Sequence, residues 1–139
     1  MPIDDAFRAW TSGNLEDMLK AARTNTHPVD RHFLLQSIVS ESYKRRKEDR
    51  YRQLCIEYAE KHLQEFPSLF EFIKEGLDGF VPRVPTFQHY ATVLTEAGEY
   101  EKAIEVCKKA ILFGLSDNTQ SGFRGRIQRI KKRMARANR

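Results

Sequence analysis

Apolar residues recur three and four positions apart along most of the chain. Val and Ile never alternate with polar residues for long, so the pattern predicts helices and an all-α fold. A first helix is expected over roughly Ile3 to Trp10. It closes at "TSGN", where Gly13 can take a left-handed turn and Asn14 can cap a second helix. That helix runs through "LEDMLKAAR" and stops before Pro28, which disfavours helical geometry in the residue ahead of it. Asp30 is the expected cap of "RHFLLQSIVSESYKRR", with Phe33, Leu34, Ile38 and Tyr43 near one face. After "KED" a second long helix is expected to end at Pro67, and Ser68 to cap a short piece, "LFEFIKEGL". The stretch "DGFVPRVP" reads as the clear irregular connection. Two helices hinged at Gly98 come after it. A last helix carries Phe123, Ile127, Ile130 and Met134 at spacings of four, three and four.

The hinged pair has a finer pattern. Bulky Phe87 is followed by Tyr90, small Ala91 and then Leu94; past Gly98 come Ala103, Ile104, Cys107 and Ala110. Small residues at Ala91 and Ala103 let paired helices approach closely, while Phe87 and Leu94 fill the space on either side. This spacing resembles the tetratricopeptide repeat, whose large and small residues recur over about 34 positions. Residues 85–115 carry the likeness, with departures: Phe87 stands for the usual tryptophan, Ala91 for glycine, Cys107 for an aromatic and Leu115 for a closing proline. A degenerate unit over about 30–67 places Cys55, Ala59 and His62 on its second helix. It puts Tyr43 where a small residue belongs, unless a slip of one residue brings Ser42 there. "AFRAWTSGNLEDML" reads as a third, shortened unit. Altogether the chain is similar to small single-domain tetratricopeptide-like proteins of bacterial type. That implies one domain over 1–139, a short α-solenoid of helical hairpins closed by a basic capping helix at about 121–137.

In that family the concave groove binds a peptide or a partner's helix. The resemblance assigns Gln88, Thr92, Thr95 and Glu96 to the groove, with Arg83 at its lip. Members that grip a C-terminal carboxylate need lysine and asparagine at the first two of these positions. Gln88 and Thr92 depart from that set, so no chaperone-tail clamp is expected.

Charge adds a second candidate surface. Of 24 basic residues, eight fall in residues 121–139, which hold none of the 19 acidic ones; the first 120 residues therefore carry 16 basic against 19 acidic. Arg124, Arg126, Arg129, Lys131, Lys132, Arg133 and Arg136 could contact phosphates or an acidic partner, giving nucleic-acid binding as the alternative function. No aromatic side chains interleave with these charges to stack on bases, which favours a capping helix. Self-association through open solenoid ends is a further alternative, and with it a homo-oligomer.

Composition bounds the rest. Without an apolar run of the roughly 20 residues a membrane span needs, and with an N-terminus that is neither basic nor long in apolar residues, a soluble cytoplasmic protein is expected. Cys55 and Cys107 lack zinc or redox spacing, and the four histidines do not pair at metal-ligand spacing, so no metal, no cofactor and no enzyme activity are expected. Arg83 and His89 resemble the arginine and histidine spacing of a helical ribonuclease family, but Pro85 places Arg83 outside the helix that carries His89.

Overall fold

The computed structural model describes residues 8–9, 12–24, 27–76 and 82–138, and its regular elements there are helical. They are α1 (Leu15–Ala21), α2 (Pro28–Lys44), α3 (Asp49–Ile73, followed by a 3₁₀ turn Lys74–Gly76), α4 (Pro85–Glu96), α5 (Tyr100–Leu112) and α6 (Gly122–Ala137). Contacts divide the chain into two compact units, residues 1–78 and 79–139. The helix expected over Ile3–Trp10 falls mostly outside the described residues.

In the first unit, α2 packs along α3, and α1 packs on α2. Asn14 caps α1 as its sequence suggests, its side chain accepting from the Asp17 N–H at 3.1 Å. Asp30 does not cap α2. The helix starts three residues earlier because Pro28, whose missing N–H costs nothing in a first turn, sits at its N-terminus, and His27 Nδ1 accepts from the Val29 N–H at 3.3 Å. The buried face of α2 is His32, Leu34, Leu35, Ile38, Val39 and Ser42, so Phe33 and Tyr43 lie at its edge. Ser42, fully enclosed, is thus the small residue against α3. Its hydroxyl donates back to the carbonyls of Ile38 and Val39, and across the helix pair it hydrogen-bonds with the Cys55 thiol. On α3, Cys55, Ala59 and His62 are all fully buried, Cys55 against Ser42 and His62 against His32.

Pro67 does not end α3, and Ser68 caps nothing. The helix continues six residues past the proline to Ile73. An interior proline costs about 3 kcal/mol, but Phe66 and Leu69 are buried on either side of it and the Phe66 and Phe70 rings stack at 5.4 Å. Each buried apolar side chain of that size contributes about 1.5–3 kcal/mol. Packing outweighs the lost hydrogen bond. Arg31 ties the unit together, donating to both Glu65 carboxylate oxygens at 2.9 Å and to the Ala22 carbonyl at 2.6 Å.

In the second unit, α4 and α5 pack as a hairpin, and α6 packs on α5. The hairpin turns at Gly98, whose φ of 80° is a conformation that side-chain-bearing residues rarely adopt. The Glu99 N–H reaches the Leu94 carbonyl at 2.8 Å, and the same closure is repeated at Gly114, where Leu115 N–H reaches the Ala110 carbonyl at 3.0 Å. Phe87, Tyr90, Ala91, Leu94, Ala103, Ile104, Cys107 and Ala110 are all buried, Ala91, Ala103, Cys107 and Ala110 completely. Ala103→Leu is therefore expected to overpack the α4–α5 contact and cost about 1–3 kcal/mol, read as a lower urea midpoint. An unchanged midpoint would show that the two helices do not meet closely at Ala103.

The segment before α4 is pinned by the Ser116 N–H, which donates to the Pro82 carbonyl at 2.8 Å beside a β-bridge between Arg83 and Ser116. Helix α4 begins at Pro85, so Arg83 precedes it. On α6, Phe123, Ile127 and Ile130 are buried and Met134 is half-buried.

A candidate binding cleft between α4 and α6

Because α6 packs on α5 and not closely on α4, a cleft of about 170 Å³ remains between α4 and α6. Ala91, Thr92 and Thr95 line it from α4, and Arg126, Arg129, Ile130 and Arg133 from α6. Ala91 and Ile130 give it an apolar floor. Two groups of residues that the sequence treats as separate surfaces, groove threonines and tail arginines, thus share one site.

Two of the three arginines are held in place. The side chain of Asp117, fully enclosed in the loop before α6, accepts from Arg126 Nε at 3.0 Å and from the Thr119 N–H at 3.0 Å. Burial alone would push its pKa up, but the two Thr119 hydrogen bonds and the Arg126 guanidinium outweigh it and leave the carboxyl below its ordinary value. Arg126 Nη1 also donates to Thr92 Oγ1 at 3.4 Å. Arg129 Nη1 donates to Ser121 Oγ at 3.0 Å, passing Gly125, where a Cβ would overlap the Ser121 side chain and crowd Arg129 Nη1 at 3.3 Å. The orientation of Arg126 and Arg129 is set before anything binds.

The remaining sequence candidates stand outside the cleft. Glu96 is exposed at the end of α4, and Arg83 is exposed at the bridge to Ser116. Gln88 is half-buried, with an Oε1 that is enclosed and has no hydrogen-bond partner. Arg124, Lys131, Lys132 and Arg136 lie exposed on other faces of α6. Sequence reasoning missed Asp117, Ser121 and Gly125. The available signal was "SDNTQSG", an aspartate and a threonine two apart immediately ahead of an amphipathic helix.

The chain matches no protein-family model, no curated protein and no solved structure at a significant level. Function is therefore read from the chain's own geometry. Other chemistry is scarce among the described residues. They include no group of three or more His, Cys, Asp or Glu placed to hold a metal ion, and no helix long and apolar enough to cross a membrane. Burial pushes the thiols of Cys55 and Cys107 up to about 11, so neither is a ready nucleophile at neutral pH. His32 and His62, 30 residues apart, meet in the core of the first unit at 2.9 Å, sealed from solvent. A hollow of about 340 Å³ beside Arg31 and Glu65 has those charges paired with each other.

Proposed function

We propose that this chain is a tetratricopeptide-like interaction module that holds a segment of a protein partner in the α4–α6 cleft and performs no chemistry on it. The family reading draws support from the packing of residues 85–115, where Ala91 and Ala103 are fully buried between larger neighbours, and from Ser42, Cys55, Ala59 and His62 occupying the corresponding places of the first unit. The observation that carries the binding site is the pair of arginines on α6, fixed by Asp117 and Ser121 and lining the same cleft as Thr92 and Thr95. Buried free thiols suit a reducing cytoplasm.

Filling the cleft tests this. Thr92→Trp places a large ring in it at a half-exposed position, which leaves the core untouched. Capture of a protein partner from nuclease-treated lysate is expected with the native chain and lost with Thr92→Trp at an unchanged melting temperature. Capture that disappears on nuclease treatment, or that Thr92→Trp leaves intact, rejects the reading; the first outcome would favour nucleic-acid binding by the basic helix.

A further inference from the structure

Resting on that interaction reading, we infer that the cleft recognises an acidic side chain of the partner: a glutamate or aspartate carboxylate seated against Arg129 and Arg133, with its methylene groups toward Ile130. The donor inventory points there. Thr92 Oγ1 donates to the Gln88 carbonyl at 2.9 Å and Thr95 Oγ1 to the Ala91 carbonyl at 2.7 Å, so both hydroxyl hydrogens are spent and the threonines offer only lone pairs. The side-chain donors left to a ligand are guanidinium groups. Their planar fork matches a carboxylate.

Charge accounting agrees. Arg126 is compensated by Asp117, whereas Arg129 is held by a neutral hydroxyl and Arg133 has no ion pair among the described residues. No carboxylate lines the cleft, which leaves two positive charges facing it without a counter-charge.

Shape then separates a carboxylate from a nucleic-acid phosphate. The α6 lining begins at Arg126, past the free amides of the helix N-terminus that usually cradle phosphate. No aromatic ring lines the cleft to stack a base, and its floor is aliphatic. At about 170 Å³ it lies below the roughly 300–1,000 Å³ typical of sites for whole small ligands, and fits one side chain.

Fluorescence anisotropy on the full chain decides the matter, with three labelled probes: a peptide alternating glutamate with leucine, the same peptide with glutamine in place of glutamate, and oligodeoxythymidylate. Two double variants are compared. Arg129→Gln with Arg133→Gln removes two charges from the cleft; Arg124→Gln with Lys131→Gln removes two from the same helix outside it. The glutamate peptide is expected to bind the native chain, to weaken at least roughly tenfold with the cleft variant, and to change little with the matched control. The glutamine peptide is expected to lose at least as much.

Equal losses from the two variants would overturn the inference in favour of diffuse attraction. Tighter binding of oligodeoxythymidylate than of the glutamate peptide would overturn it in favour of nucleic acid. If both peptides bind alike and Thr92→Trp abolishes both, the carboxylate inference falls while the interaction reading stands. If neither peptide binds, the inference falls, and capture with Thr92→Trp decides the interaction reading separately.

Discussion

Lowering the pH from 7 to 4 is expected to open the first unit, residues 1–78, while the second, residues 79–139, keeps its structure. His32 and His62 share a hydrogen bond of 2.9 Å between Nδ1 and Nε2, which needs one nitrogen as donor and the other as acceptor. A proton on the acceptor breaks it, inside a core closed by Phe33 and Phe66. Burial lowers the pKa of His32 to about 4. Burial first, then His32 and Arg31 nearby, hold His62 well below its ordinary value. An unfolded histidine takes its proton near pH 6.5, so the unfolded chain binds more protons than the folded one between pH 6.5 and 4. Stability is complete above that window and falls as pH drops through it. One pKa unit is worth about 1.4 kcal/mol, so His32 alone removes about 3 kcal/mol, and His62 adds to the loss. That is a large share of the roughly 5–15 kcal/mol that holds a typical domain.

The second unit depends on a different group, which titrates at lower pH. The Asp117 carboxyl lies below its ordinary value, so its contribution is present above about pH 3.8 and lost only as the pH falls further. Amide hydrogen exchange across the full chain, stepped from pH 7 to 4, separates the two: protection should fall in α2 and α3 first. A double variant, His32→Gln with His62→Gln, should flatten that slope. Simultaneous loss in both units, or no loss by pH 4, would exclude the histidine pair as the cause.

Asp117→Ala is expected to be the most damaging single change in the second unit, costing about 3–5 kcal/mol by urea denaturation. The carboxylate is fully enclosed, and its removal leaves Arg126, only 19% exposed, without its counter-charge. It also takes the acceptor from the N–H and hydroxyl of Thr119, whose hydroxyl oxygen in turn receives the Gly122 N–H that opens α6. By contrast, breaking the exposed Lys108–Glu105 pair should cost less than about 1 kcal/mol. Adding Arg126→Met to Asp117→Ala should recover part of the loss, because no uncompensated charge then remains. A cost under about 1 kcal/mol for Asp117→Ala would show that the loop, not the ion pair, positions α6.

How much of the molecule is legible in its sequence depends on the range of the physics involved. The alternation of bulk around Ala91 and Ala103 is set by how closely two adjacent helices approach, so it is written locally, and those positions are buried as the spacing implies. The apolar stripe of α6 is equally local. Pro67 misleads because a propensity of about 3 kcal/mol is visible in one residue, whereas the burial of Phe66 and Leu69 that overrides it depends on neighbours elsewhere in the chain. Ser42 against Tyr43 turns on a one-residue register that only the packed face of α2 settles. The histidine pair and the cleft are illegible for a common reason: His32 meets His62 from 30 positions away, and Thr92 meets Arg126 from 34. No local spacing encodes such convergence.

Gly125 has a consequence for the ancestry of such chains. Glycine inside a helix forgoes about 1 kcal/mol relative to alanine, yet any side chain there would collide with Ser121 and press on Arg129. The three positions are spaced four and four along the chain into α6, so they cannot drift independently: a lineage that fills position 125 must also surrender the serine's support for the arginine. Serine, glycine and arginine at that interval, with an aspartate four residues ahead of the serine, form a compact signature by which distant relatives of this chain can be sought.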